Sequence, residues 1–345
     1  MEYIKELNII DGVIHILDNT AVEPILNEFA LDLNEEIYTF LYKHIQKCLS
    51  DEELKYAIFT EGRNIIKEVS YEYLSGHSNL LDASKELARQ MFTTMKSNGN
   101  IPSCDLITVS ISTEYGPMLG ILKMDYVKNY MHNIEFVDNK LGINIIPQVT
   151  GLPGSGQKIQ KCAIIKTSKC DNKYDLMVLD KQKKGKHNDD YGSNYFIDTY
   201  LGCEIINNER DMTKNFLHAT EQWTRNNLSD NADKAEKLRR TAKKKLQEEE
   251  HIDVLDFAQE IFGENEEITK DFLSFSKVNG VSDKVEVDRE WVDKKLKRVR
   301  LKIDGDIDLY LSGEAYKDFE RFEIKRNGDG SINIIVKHIR NYIEK

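Results

Sequence analysis

The chain has 345 residues and a formal net charge of −11, a length that exceeds one hydrophobic core and calls for two domains, or a large domain with an appendage. Apolar residues make up 40% and charged residues 31%, enough for a buried core beneath a strongly solvated surface. The acidic balance excludes a protein that coats DNA by global attraction, since phosphate binding draws on clustered Lys and Arg. No run approaches the roughly 20 apolar residues needed to span a bilayer.

The opening Met-Glu-Tyr-Ile-Lys-Glu-Leu-Asn lacks the basic and apolar regions of a signal peptide. The apolar stretch Ile9 to Leu17 then alternates as a strand does and is closed by the turn residues Asp18 and Asn19. Asp32 or Asn34 is placed to cap a helix, with Glu35 and Glu36 favourably set against its dipole. Ile37, Phe40, Leu41, Ile45 and Leu49 follow at helical spacing. A second helix is predicted from about Asp82 to Lys96, stopped by Asn98-Gly99-Asn100-Ile101-Pro102.

Two alternating runs, Asp105 to Ser112 and Met118 to Tyr126, flank Glu114-Tyr115-Gly116-Pro117 and predict a hairpin. Lys161 to Lys166 and Tyr174 to Leu179 predict a second strand pair. Lys181 to Lys186 leads into a polar stretch that reads as an exposed loop. From Arg210 to about Phe262 the pattern is helical, with a third helix begun by His251-Ile252-Asp253 and ended by Gly263. The end of the chain predicts four strands, Val299 to Ile303, Ile307 to Leu311, Phe319 to Lys325 and Ser331 to Lys337. The sum is an α+β protein: an antiparallel sheet flanked by helices in a domain over 1–205, a helical segment over 206–270 and a β-rich domain over 271–345.

Motifs for catalysis are weak. Gly151-Leu-Pro-Gly-Ser-Gly156-Gln-Lys158 nearly spells a phosphate-binding loop, yet Gln157 separates the last glycine from the lysine and Ile159 stands where a hydroxyl should hold magnesium. Pro147 also interrupts the strand that should precede it. The eight histidines are scattered without metal-ligand spacing, and no G-x-S-x-G elbow is present. The five cysteines, Cys48, Cys104, Cys162, Cys170 and Cys203, form no C-x-x-C pair and read as reduced thiols of a cytoplasmic protein. Asp304, Asp306 and Asp308 read as a turn and a solvent face. The expectation is a protein that is no enzyme and holds no cofactor or metal.

Three basic islands remain. Lys181, Lys183, Lys184 and Lys186 share a loop from which side chains can reach a phosphate backbone. Lys237, Arg239, Arg240, Lys243 and Lys244 lie on a helix, spread over most of the arc left by its apolar residues. Lys297, Arg298 and Arg300 enter the terminal β segment. These twelve are the candidate DNA-binding residues.

The string Tyr195-Phe-Ile-Asp-Thr-Tyr-Leu-Gly-Cys203, the helix holding Thr213-Lys-Asn-Phe216, and Lys161-Cys-Ala-Ile-Ile165 resemble the 37-kDa nucleoid-associated bacterial protein family. Val13-Ile-His-Ile-Leu-Asp18, Leu119-Gly-Ile-Leu-Lys-Met-Asp125 and Phe322 to Ile332 stand in the family's order. The resemblance covers nearly the whole chain and rests on the number and order of its strings. It implies a cytoplasmic, nucleoid-located protein that binds DNA without strong sequence preference and without catalysis. The alternative is a non-catalytic interaction module brought to the nucleoid by DNA-processing partners such as topoisomerases. The expected partners are DNA, such proteins and a second copy in a homodimer, with no membrane.

Overall fold

The computed structural model describes residues 2–138, 140–150, 152, 159–167, 173–181, 194–263, 265–304, 306–341 and 343. The chain divides into two compact units, one from Glu2 to Ile206 and the other from Asn207 onward.

In chain order the first unit contains β1 (Leu7–Leu17), α1 (Glu35–Leu49), β2 (Lys55–Phe59), α2 (Ile65–Leu74), α3 (Leu80–Ser97), β3 (Cys104–Thr113) and β4 (Gly116–Asp125). It continues with β5 (Val127–Val137), β6 (Lys140–Thr150), β7 (Lys161–Lys166), β8 (Leu176–Asp180), a π-helical turn (Tyr195–Leu201) and β9 (Cys203–Ile206). Seven of the strands form one sheet in the order β1-β3-β4-β7-β8-β2-β9, and every neighbouring pair is antiparallel. The two predicted strand pairs, β3 with β4 and β7 with β8, meet at the centre of this sheet. Their residues are buried almost continuously because helices cover both faces. On one face Leu87, Met91 and Met95 of α3 pack with Leu106, Leu119, Ile121 and Ala163. On the other, Leu41 of α1 lies near Val109, and Cys48 meets Cys162.

Local signals set the helix starts. Asn34 accepts hydrogen bonds from the backbone N–H groups of Glu36 and Ile37, and Asn79 accepts from that of Asp82. The string Tyr195 to Cys203 belongs to the core: Phe196, Tyr200 and Leu201 are buried against α3 and the sheet. Gly202 ends the π-helical turn at φ +57°, and an added Cβ would lie 2.7 Å from Asn64 Nδ2. Its carbonyl accepts from Thr60 N at 3.0 Å, Thr60 Oγ1 at 2.9 Å and Asn64 Nδ2 at 3.0 Å. The string therefore locks β2 and the start of α2 to the turn.

Among the described residues the strands β5 and β6 pair only with each other, as an 11-residue ribbon outside the main sheet. Pro147 lies within β6, tolerated because a two-stranded ribbon leaves each strand an unpaired edge. Neither this ribbon, nor β2, nor α2 stands among the elements read from sequence.

The second unit contains α4 (Glu209–Asn227), α5 (Ala232–Glu248), β10 (His251–Asp253), α6 (Val254–Phe262), α7 (Glu266–Val278), β11 (Lys284–Glu286) and α8 (Arg289–Lys295). It ends with β12 (Arg298–Ile303), β13 (Ile307–Ser312), α9 (Gly313–Lys317), β14 (Phe322–Arg326) and β15 (Ile332–Val336). His251 to Asp253 is a strand paired with β11, so the third helix starts after it, with Asp253 as N-cap accepting from Leu255 N and Asp256 N. Phe216, Trp223, Leu238, Phe257, Phe272, Val285 and Trp291 share one core, which joins segments on both sides of residue 270. Trp223 Nε1 donates to Asp271 Oδ2 at 2.7 Å, so the indole is buried with its polar group satisfied.

The mixture of helices and antiparallel sheets makes the protein α+β, as its sequence pattern implies.

Candidate nucleic-acid interface

The side chains of α5 are sorted by the packing of the helix. Asn231 caps it by accepting from Lys234 N, and Ala235, Leu238, Ala242 and Leu246 are buried. Arg239 turns back to α4 and forks onto Glu221, with Nε 2.7 Å from Oε2 and Nη2 3.1 Å from Oε1. Burial pushes the Glu221 carboxyl up, but hydrogen bonds from Arg239 and Arg225 outweigh this and hold it below its usual range. Lys243 is half-buried with its Nζ 5.1 Å from the Tyr316 ring, and burial lowers its pKa. Lys237, Arg240 and Lys244 remain exposed, on one face of the helix. Of these, Lys244 lies 3.8 Å from Glu248. Neither Lys237 nor Arg240 has an ion-pair partner among the described residues.

In β12 the period of two does the sorting. Val299 is buried, while Arg298, Arg300 and Lys302 project to the opposite, exposed side. The antiparallel register sets Arg298 against Ser312, Arg300 against Tyr310 and Lys302 against Asp308. Arg300 forks onto Asp308 with two contacts of 3.0 Å and lies 5.3 Å from the Tyr310 ring centre. That fork raises the Arg300 pKa and lowers that of Asp308. Arg298 and Lys297 are exposed and unpaired among the described residues. Tyr310 is 71% exposed, which leaves its ring open to a ligand.

The short helix α9 links these two groups. Gly313 N donates to Lys297 O at 2.7 Å, and three residues on, Tyr316 lies beside Lys243. Phe319 follows, 64% exposed, with the Arg240 guanidinium 5.7 Å from its ring centre. Two of the three predicted islands thus flank the same element of the second unit, each with an arginine set over an exposed ring. Tyr310 and Phe319 are absent from the residues predicted from sequence. The alternation of Leu309, Tyr310 and Leu311 was a signal for an outward tyrosine, but its place opposite Arg300 follows only from the strand register.

Of the lysine loop only Lys181 is described, in the first unit. Lys181 is half-buried, with its Nζ 2.6 Å from Asp51 Oδ2 and 3.9 Å from Glu53 Oε1. Lys183, Lys184 and Lys186 lie outside the described residues, as does nearly all of the glycine-rich stretch from Gly151 to Lys158. Among the described residues no helix is long and apolar enough to cross a membrane.

The chain is thus an α+β protein whose second unit carries both unpaired surface cations and exposed aromatic rings, with Arg240 set over Phe319. Residues 13–344 match the family described as nucleoid-associated protein YejK, and the chain belongs to that family. The match takes in both units and agrees with the resemblance drawn from the Tyr195 to Cys203 string. Comparison with curated proteins finds no match.

Proposed function

We propose that the protein binds duplex DNA with little sequence specificity through the second unit, and that it acts without catalysis in the cytoplasm at the nucleoid. The observation that carries this reading is the group of unpaired cations Lys237, Arg240, Lys297 and Arg298 in the second unit, with Arg240 over the exposed Phe319 ring and Arg298 on the strand face of Arg300 and the exposed Tyr310. Such cations meet phosphate oxygens, which are the same at every base pair, so the contact positions the protein without reading sequence. Membership of a nucleoid-associated family supports the same reading. The overall negative charge weakens long-range attraction and leaves binding to the local patch.

A fluorescence titration on duplex DNA at several salt concentrations tests it. Four phosphate contacts give a slope of log affinity against log salt of about −3.6, or roughly a hundredfold loss between 50 and 200 mM salt. Charge reversal of Lys237, Arg240, Lys297 and Arg298 together is expected to abolish most binding and flatten that slope. A larger loss on reversing Lys183, Lys184 and Lys186 would transfer the interface to that loop. Absence of binding at the lowest salt, with nuclease-resistant co-purification of a DNA-processing enzyme, would replace direct contact by recruitment.

A further inference from the structure

The ribbon of β5 and β6 takes no part in the interface above. Its register sorts the side chains onto two faces, because directly opposed residues of an antiparallel pair point the same way. One face carries Lys128, paired with Val149 at the ribbon's base, then Tyr130 with Pro147, His132 with Ile145, Ile134 with Ile143 and Phe136 with Leu141. The other carries Asn129 with Gln148, Asn133 with Asn144 and Glu135 with Gly142, interrupted by Met131 with Ile146. The ribbon is therefore amphipathic, and its apolar face is in solvent: Phe136 is 75% exposed, Ile145 78%, Tyr130 65% and Ile143 65%. Soluble proteins rarely expose contiguous apolar patches beyond a few hundred Å², and larger ones mark interaction sites.

We propose that this face is covered by the same face of a second copy of the chain, in a two-fold, ribbon-on-ribbon dimer. Three observations select that occupant. The four apolar rows contain no carboxylate, ammonium or guanidinium group, and the one charge on this face, Lys128, stands at the ribbon's base with its Nζ 5.7 Å from the Tyr130 ring centre, so the face offers a phosphate backbone a single contact and the rows leave no unmatched charge against their own copy. A pair of 11-residue strands on its own is marginal in water, so the cover must be present whenever the protein is folded, and its own copy is the partner always at hand. The area also suffices. With aromatic side chains burying about 150–250 Å² each, the four rows offer roughly 600–800 Å² per partner, close to the roughly 800 Å² of a standard stable interface. Two-fold packing sets each row against a row of the other ribbon, with the two faces about 10 Å apart. This inference is independent of the DNA reading.

Sedimentation of the full-length chain at tens of micromolar gives the test, with a species of twice 40.0 kDa expected. Ile134→Glu combined with Ile143→Glu places charge in one row at solvent-exposed positions and is expected to give a monomer that keeps the helical circular dichroism signal while its ribbon loses order. A monomeric wild-type chain, or a variant that stays dimeric, would overturn the proposal. Hydrogen exchange on the wild-type chain covers the case in which the variant fails to fold. Ribbon amides should be protected at high protein concentration and exchange faster on dilution, and equal protection at both would equally refute it.

Discussion

In the first unit Lys123 and Lys161 lie inside the end of the main sheet, whereas in the second unit Lys237, Lys297 and Arg298 stand in solvent. Lys123 pairs with Asp125 and Lys161 with Asp180, and both ammonium groups face the buried Tyr195 ring, at 6.0 and 4.8 Å from its centre. Burial raises the Asp180 carboxyl, and the lysine beside it works against that rise. A cation removed from water must have a counter-charge, because its desolvation costs several kcal/mol. A cation left in water needs none and remains available to a phosphate. The difference between a structural lysine and a binding one therefore lies in the neighbours that packing supplies, not in the residue type.

The comparison can be broken from the inside first. Lys161→Ala leaves the Asp180 carboxylate buried without its partner and is expected to destabilise the first unit by about 3–5 kcal/mol, while Lys161→Met with Asp180→Leu should recover most of the loss. Urea unfolding measures both. DNA affinity of the folded Lys161→Ala fraction should be unchanged, and a matching loss of affinity would remove the distinction between the two kinds of cation.

His15 tests a neutral interior group. Asn27 N donates to its Nδ1 at 3.0 Å, which makes Nε2 the protonated nitrogen and donor to Ser84 Oγ at 2.9 Å. Burial, with Lys85 and Arg89 nearby, lowers its pKa to about 4. Because the unfolded chain takes up this proton at higher pH than the fold does, the contribution is complete above pH 6.5 and is lost as pH falls through about 4. Its full size is about 3 kcal/mol. His15→Gln should flatten the stability profile over that window, and an unaltered slope would show that the site titrates normally.

The smallest effect belongs to the surface. Asp308→Ala frees the Arg300 guanidinium on the exposed face of the β12–β13 pair. The expected result is no measurable change in thermal stability and a rise of about twofold in DNA affinity, from one added phosphate contact. A fall in affinity would mean that the fork positions Arg300 for binding.

Much of the fold was legible. The hairpin of β3 and β4, the pairing of β7 with β8, the capped α1 and the four terminal strands all follow from local periodicity and turn residues. The ribbon of β5 and β6 was not, although its alternation is visible afterwards, because Asn129, Asn133 and Asn144 on one face and Gly142 and Pro147 within it resemble a loop. The two short elements β2 and α2 owe their form to contacts far along the chain, as when Asn64 Nδ2 bonds the carbonyls of Leu201 and Gly202. For the interface, composition could count cations but could not say which ones carboxylates neutralise. Arg239 meets Glu221 from 18 residues away, and Lys181 meets Asp51 from 130 away.

By itself the sequence determined the α+β class, most central strands and helices, and membership of a nucleoid-associated family, because these rest on residue order, period and turn chemistry. Tertiary structure alone decided which lysines and arginines stay unpaired, which rings lie beside them, and that a largely apolar ribbon face stands in solvent. Those properties depend on charges and side chains brought together from distant segments, and local pattern carries no record of which distant segment arrives.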